Sequence, residues 1–343
     1  MSETINVGII GLGMMGTTHL DVYAKLPGVR VLAVADLDES KRTGKARGRG
    51  NIEGQAQGGF DIAASSVRRY ADGLELISDP DVHVIDVCVP TPGHLPVGLA
   101  ALRSGKHVLL EKPLARTYAQ ARELVDAATA HAAKGGVSMV AMCMRFWPGW
   151  DWLKVAVEDG RFGRVRAASF RRVASHPGGP FYSSGEAAGG AALDLHVHDS
   201  DFVRHLFGEP TDVSSHGYTK LTGAVDHIDT TYRFATGPGA GALIKAEGCW
   251  VMAPGFGFNM QYTVNFENAT ASFDLARGER PLVLYLDGKA TPVELPGGMG
   301  YEHEIRYFLD CVRTGRPADR VTLADAAESV RLVERELASI PAA

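Results

Sequence analysis

The sequence predicts an α/β protein in two parts, a parallel sheet wrapped by helices and then a domain dominated by antiparallel strands. Three observations carry that prediction. In the first third, short apolar runs alternate with helical patterns, as in βαβ units. Beyond residue 150 the pattern changes to strands in which apolar and polar residues alternate, as in a sheet with one solvated or partner-covered face. At 343 residues the chain exceeds the size at which one core keeps growing. Two domains are therefore expected, residues 1–145 and 146–343.

The first strand is residues 5–10. Met15, His19, Val22 and Leu26 then share one helical face, and Pro27-Gly28 ends that helix. Residues 31–35, 84–89 and 108–110 read as later strands, each an unbroken apolar run of the kind buried on both faces. Residues 96–103 read as a helix closed by Gly105. A further helix spans 118–133, where Thr117 and Gln120 form a capping-box pattern. Residues 137–142 are the next strand. Residues 44–59, rich in Gly, Arg and Gln without apolar period, read as an inserted surface loop. In the second part a short helix covers 151–159 and another lies within 187–207. Strands are expected at 165–173, 213–221, 230–235, 242–250, 259–266, 271–275 and 282–286. Amphipathic helices at 301–312 and 323–338 close the chain.

Composition excludes several classes. Apolar residues are 45% and charged residues 22%, the balance of an ordinary globular protein. A net charge of -5 offers no attraction for nucleic acid or an anionic membrane. No apolar run approaches the ~20 residues that span a bilayer. The start of the chain has neither a basic n-region nor a cleavable apolar stretch. Cys88, Cys143, Cys249 and Cys311 form no CxxC pair and read as free thiols of a reducing compartment. A cytoplasmic protein is expected.

Gly11-Leu12-Gly13-Met14-Met15-Gly16 sits between a strand and a helix, the context that makes a GxGxxG run a Rossmann dinucleotide fingerprint. Gly11 permits the tight turn, Gly13 lets a pyrophosphate approach the backbone, and Gly16 lets helix and strand pack closely. The helix N-terminus, with Met14 and Met15, offers N–H groups to the phosphates. Asp36 ends the second strand 20 residues after Gly16, where a carboxylate accepts ribose hydroxyls and repels a 2′-phosphate. NAD is thereby favoured, with NADP kept open by Lys41 and Arg42. Pro90, Thr91 and His94, and then Glu111 and Lys112, come just after strand ends lining the same crevice.

With Glu111-Lys112-Pro113 in view, the chain resembles the glucose–fructose oxidoreductase/inositol dehydrogenase/rhizopine catabolism (Gfo/Idh/MocA) family. The stretches Gly105 to Ala115, Gly189 to Asp199 and Phe308 to Pro317 extend the likeness over nearly the whole chain. The resemblance implies a Rossmann domain followed by an α/β domain with a large, mostly antiparallel open sheet. That sheet often serves as an oligomer interface, so a homo-oligomer, dimer or tetramer, is expected. Lys112, Asp194 and His198 are implied as catalytic residues, with Arg145 near the nicotinamide. The activity implied is oxidation of a secondary alcohol of an inositol, sugar or sugar derivative to a ketone. An alternative in the same family holds its cofactor tightly and uses transient oxidation to cleave a glycoside or exchange hydride between sugars. A non-enzymatic ligand-sensing regulator is a third class, disfavoured by the intact trio.

The residue types suit that chemistry. Asp194 and His198 are four apart, so on one helix they share a face. Histidine, with an ordinary pKa of ~6.5, is a suitable base toward an alcohol near neutral pH, and a carboxylate beside it orients the ring. Lys112 would hold the substrate oxygen and stabilise developing alkoxide. His196-Val197-His198 point to different helical faces with no further ligand cluster, so no metal is expected. Phe146, Trp147, Trp150 and Trp152 read first as packing, with Trp147 a candidate to stack on a sugar ring. His176 and Tyr182 lie on a loop leading to the Asp194 segment and are candidate substrate contacts.

Overall fold

A computed structural model describes residues 4–45 and 60–341. Of the 44–59 loop only Gly44 and Lys45 fall among them. Two compact units result. One takes the chain through Cys143 together with Tyr301–Glu328, and the other takes Met144–Gly300 together with the chain from Ser329 on. The chain thus crosses between the units at 143/144, 300/301 and 328/329, where the sequence reading has one boundary at 145/146.

In the first unit the elements are β1 (Ile5–Ile10), α1 (Met14–Tyr23), β2 (Val29–Ala35), α2 (Glu39–Arg42), β3 (Arg68–Tyr70), α3 (Gly73–Ser78), β4 (Val84–Val87), α4 (His94–Arg103), β5 (His107–Glu111), α5 (Tyr118–Ala132) and β6 (Ser138–Ala141). All strands are parallel, in the order β3-β2-β1-β4-β5-β6. The order reverses at β1, which pairs with both β2 and β4. In open α/β sheets ligands bind outside the carboxyl ends of the strands at such a switch point. Every residue of β1 and β4 is buried, the polar Asn6 and Asp86 among them, so these strands are mostly but not wholly apolar. Thr117 accepts the Gln120 N–H at 3.2 Å and so caps α5.

The second unit contains α6 (Trp150–Glu158), β7 (Val165–Ser175), α7 (Gly185–Ala188), α8 (Gly190–Asp194), α9 (Val197–Phe207), β8 (Asp212–Tyr218), β9 (His227–Arg233), β10 (Leu243–Met252), β11 (Phe258–Phe266), β12 (Thr270–Asp274), β13 (Leu282–Leu286) and β14 (Lys289–Pro292). Its eight-stranded sheet runs β14-β13-β12-β11-β7-β10-β9-β8, antiparallel throughout except for β7 beside β10. In register, Phe170 faces Ala246 on one side and Tyr262 on the other, and Tyr262 faces Phe273. These four residues are at most 1% exposed. Trp150 of α6 and Phe202 of α9 pack on them, with Trp150 lying 4.8 Å from Phe202 and 5.4 Å from Tyr262, centroid to centroid. Burying each such ring stabilises the unit by roughly 1.5–3 kcal/mol. The last helices are α10 (Gly300–Thr314), in the first unit, and α11 (Leu323–Ala338). Among the described residues no helix is long and apolar enough to cross a membrane. All four cysteines are buried and form no disulfide.

Four short elements depart from the sequence reading: α2, β3, α3 and β14. They are three to six residues long, too short to establish a period. β3 carries two arginines on an edge, and β14 is exposed along its whole length. Asp287 and Gly288 both have positive φ, 51° and 72°, as a two-residue type I′ hairpin between β13 and β14 requires.

Candidate functional site

The glycine loop separates into three different requirements. Gly11 has φ +94°, and a Cβ there would lie 2.5 Å from the Cys88 carbonyl oxygen. A Cβ on Gly16 would lie 1.8 Å from the Gly11 oxygen, so helix and strand meet only through glycine. A Cβ on Gly13 would meet nothing within 4 Å. Packing does not demand that glycine, and its bare backbone keeps open the space a pyrophosphate needs. Gly13 also caps α1 without any side-chain bond, leaving the first N–H groups of the helix for an anion. Gly13, Met14 and Met15 are the half-exposed part of the loop. These residues fit a dinucleotide.

Asp36 completes that edge. Its Oδ2 accepts the Leu12 N–H at 2.7 Å and its Oδ1 accepts the Asp38 N–H at 2.8 Å, which fixes the carboxylate against the loop. Each oxygen keeps a lone pair for a ribose hydroxyl. Arg42 donates to the carbonyls of Asp36 and Leu37, and Lys41 stands 3.8 Å from Asp36. Both cations are thus drawn toward the end of β2. Leu37, next in the chain, is 90% exposed, a bare apolar side chain that a polarity-based reading passes over.

Pro90 and Thr91 come after β4, with Thr91–Gly93 forming one 3-10 turn. His94 and Glu111, expected at the cofactor, turn their side chains inward. His94 is 1% exposed, its Nδ1 2.7 Å from the Pro113 oxygen and its Nε2 2.9 Å from the Val89 oxygen. Burial lowers its pKa, although both carbonyls favour the protonated ring. His94 thereby ties the turn after β4 to the turn after β5. In that second turn Lys112 precedes a cis bond to Pro113, and Glu111 Oε2 accepts the Lys112 backbone N–H at 3.0 Å. Glu111 Oε1 lies 3.2 Å from His19 Nε2.

In the second unit, Asp194 and His198 do not occupy one regular helix, which corrects the shared-face reading. Asp194 ends α8, and α9 begins at Val197. Between them Leu195 and His196 both donate to the Ala191 oxygen, and Asp199 then bonds only three residues back, to His196. The backbone is widened and then tightened, so the spacing of a uniform 3.6-residue turn is lost. Both side chains are half-buried.

The three residues after His198 are clamped. Asp199 accepts from Arg172 of β7 at 2.8 Å, Ser200 donates to Glu336 at 3.0 Å, and Asp201 accepts from Arg145 at 2.6 and 2.8 Å and from Ser329 at 2.7 Å. All of these groups are at most 3% exposed. Burial opposes the Asp201 carboxylate, and Arg145 with Ser329 more than offsets this, holding its pKa below the ordinary value. Arg145 is therefore found holding α9 in place. Arg172, Asp199, Ser200, Asp201 and Glu336 were not legible as site residues. Asp199 closes the Gly189 to Asp199 stretch, and for Arg172, Asp201 and Glu336 the one sequence signal was charge within apolar segments, while Ser200 gave none.

His176 and Tyr182 do come together. His176 Nε2 lies 3.2 Å from the Tyr182 oxygen, and both rings meet Trp250 edge-on at 5.5 and 6.0 Å. Phe181 and Tyr182 pack on the cluster of Ala188, Ala191 and Trp250 beneath α8. Trp250 is held in turn by Asp226, whose carboxylate also takes N–H groups from Lys220, Leu221 and Thr222. Burial would raise that carboxyl, yet the Leu221, Thr222, Trp250 and Lys220 donors bring its pKa to about 2. Trp147 is 5% exposed and so offers little surface to a sugar.

Comparison with known proteins places this architecture. A family model described as "Oxidoreductase family, NAD-binding Rossmann fold" matches residues 5–139, and the Gfo/Idh/MocA C-terminal domain matches residues 150–272. Levoglucosan dehydrogenase of Pseudarthrobacter phenanthrenivorans is 32% identical over 219 residues, which are 62% of this chain and 54% of that protein. Inositol 2-dehydrogenase 2 of Saccharopolyspora erythraea is 32% identical over 210 residues, 60% of this chain and 55% of that protein. The aligned part thus spans about half the length of these curated relatives. A solved levoglucosan dehydrogenase in complex with NADH and levoglucosan superposes with a TM-score of 0.82 at 23% identity, covering 98% of this chain and 96% of that one. At that identity the likeness bears on the fold. With both parts matched by models of one family, the chain belongs to the Gfo/Idh/MocA oxidoreductases, and its first unit is their NAD-binding Rossmann domain.

Proposed function

We propose that this chain is an NAD-dependent dehydrogenase that reversibly oxidises a secondary alcohol of an inositol, sugar or sugar derivative to a ketone. The carrying observation is that Lys112 comes directly after β5, at the same carboxyl edge of the parallel sheet from which the glycine loop and Asp36 rise. A cation at that edge suits the stabilisation of a developing alkoxide. Relatives named levoglucosan dehydrogenase and inositol 2-dehydrogenase supply the substrate class.

NAD, when bound, supplies the hydride acceptor. Lys112 holds the substrate oxygen and stabilises the negative charge that grows on it as the C–H bond breaks. His198 takes the hydroxyl proton, and Asp194 stabilises the resulting imidazolium. The clamps on Asp199, Ser200 and Asp201 support this reading because a base is useful only if held to a fraction of an ångström. Arg145 belongs to that support, and a nicotinamide contact from it would use donors other than the Nε and Nη2 engaged by Asp201. His176 and Tyr182 are proposed substrate contacts. A cytoplasmic location fits four free thiols and a soluble dinucleotide, and a homo-oligomer fits the large open sheet.

The test is turnover of NAD, then of NADP, against a panel of inositols, sugars and anhydrosugars. Reduced NAD should accumulate with at least one polyol. Lys112→Ala should lose activity by at least about a hundredfold while still binding NAD. Undiminished activity in that variant would remove Lys112 from the mechanism.

A further inference from the structure

The first unit buries a set of titratable groups that the reaction above does not use. His19, in the second turn of α1, is wholly buried. Its Nδ1 lies 2.9 Å from Asp86 Oδ2 on β4, and its Nε2 lies 3.2 Å from Glu111 Oε1 at the end of β5. Cys88 Sγ is 3.3 Å from the other Asp86 oxygen and 3.6 Å from His19 Nδ1. From α10, Glu304 brings Oε1 to within 3.9 Å of Nε2, and Tyr23 of α1 is buried beside the same groups. Three of these donors could approach one metal ion, but the imidazole and the thiol already bond the Asp86 carboxylate, and a cluster this deep has its own partners.

We infer that His19 is a positioning residue, bridging Asp86 and Glu111 so that the helix behind the glycine loop and the turn bearing Lys112 are held as one piece. The inference rests on the role proposed for Lys112. Two contacts give the bridge its reach. Cys88 packs directly beneath the loop, since its carbonyl is what a Cβ on Gly11 would strike. Glu111 accepts the backbone N–H of Lys112, so the orientation of this carboxylate sets the start of that turn. A helix that carries phosphate-binding N–H groups and a turn that carries a charged lysine are thus joined through one imidazole.

The charge state of the cluster is set by its geometry. Nδ1 of His19 hydrogen-bonds Asp86, whereas Nε2 makes no hydrogen bond and meets Glu111 Oε1 at 3.2 Å as an ion-pair contact, which requires the charged ring. Burial works against the charged ring, but the Asp86 carboxylate bonded to it outweighs burial, and the pKa lies well above the ordinary histidine value. Glu304 has no hydrogen-bond partner among the described residues, and burial pushes its pKa well up, so it is the neutral acid of the group. Burial likewise keeps the Cys88 thiol protonated. One imidazolium then offsets two carboxylates, Asp86 and Glu111.

Replacing His19 removes the cation between Asp86 and Glu111 and leaves the Glu111 carboxylate, which holds the Lys112 backbone N–H, without that buried partner. His19→Gln should weaken NAD binding by roughly tenfold, read by calorimetry. It should also change the rate at which Lys112 is acylated at fixed pH, read by mass spectrometry, because Glu111, which holds the Lys112 backbone N–H, is no longer anchored by the imidazole. Glu111→Gln cuts the bridge at its other end and should shift both readouts in the same direction, and adding His19→Gln to it should add little, a coupling that two independent structural contacts would not show. This variant also keeps the inference testable if His19→Gln does not fold. Both readouts precede turnover, so they stand even if no polyol is oxidised. A folded His19→Gln that binds NAD and acylates as the wild type does would overturn the inference.

Discussion

Asp36 turns both carboxylate oxygens toward main-chain N–H groups, those of Leu12 and Asp38, and so stands fixed at the end of β2 instead of swinging in solvent. A fixed anion both accepts ribose hydroxyls and repels a phosphate at the same place. Hydrogen bonds to a charged partner contribute about 1.5–3 kcal/mol, or roughly ten- to a hundredfold in an equilibrium constant. Asp36→Ser should therefore lower kcat/KM for NAD by about that factor while that for NADP rises. Lys41 and Arg42 are at hand to meet the added phosphate once the repulsion is gone. An unchanged preference in steady-state kinetics with both dinucleotides would show that discrimination lies elsewhere. At this scale the placement of the glycines, Asp36 and Lys112 at strand ends was legible, because each follows directly on an apolar strand, and the roles proposed for Asp36 and Lys112 rest on that placement. His19 was legible only as a residue on an apolar helical face. Its partners come from β4, β5 and α10, and no local spacing brings those together.

α9 is the element on which the proposed base depends, and buried charge fixes it from three sides. Removing one partner of a buried ion pair leaves an uncompensated charge, at a cost of about 3–5 kcal/mol. Arg145→Met should therefore destabilise the protein by that amount in urea unfolding. The pH dependence has a definite sign. Asp201 has a lowered native pKa, so its stabilising contribution is complete above the ordinary carboxylate pKa and fades as pH falls through the lower native value. In Arg145→Met that acid-sensitive increment should disappear, and an unchanged stability–pH curve between the two proteins would contradict the pairing. β1, α6 and α11 were legible to within a residue, while β8 ends and β9 begins three residues before the expected bounds. The break between α8 and α9 was not. It depends on which carbonyl two successive N–H groups choose, here Ala191, and both a straight and a broken helix satisfy the same pattern of apolar residues. The strand β14 was not legible, because a wholly exposed strand has no apolar alternation to mark it.

Over the whole molecule, the order of strands in the first sheet reflects short connections and right-handed crossovers, and the sequence pattern alone made it an α/β domain. The return of α10 to the first unit was not legible, since an amphipathic helix does not say which core it serves. Its Glu304 is the clearest trace, a fully buried acid 3.9 Å from His19. The second sheet is covered on the Phe170 face, while Arg171, Lys245, Glu247 and Thr263 lie on the other, where Leu243 is also 76% exposed. A self-association through that face should appear in light scattering as a mass of two or four chains. A monomer at working concentration would rule that association out.

Hydride transfer from a polyol to the nicotinamide is tested most directly by the fate of the carbinol hydrogen. The protein should be incubated with NAD and a perdeuterated polyol that it turns over, and the nicotinamide product weighed by mass spectrometry. Reduced NAD carrying one deuterium is expected, formed together with the ketone and absent with Lys112→Ala. A substrate altered without deuterium ever reaching the nicotinamide would contradict the proposed dehydrogenase.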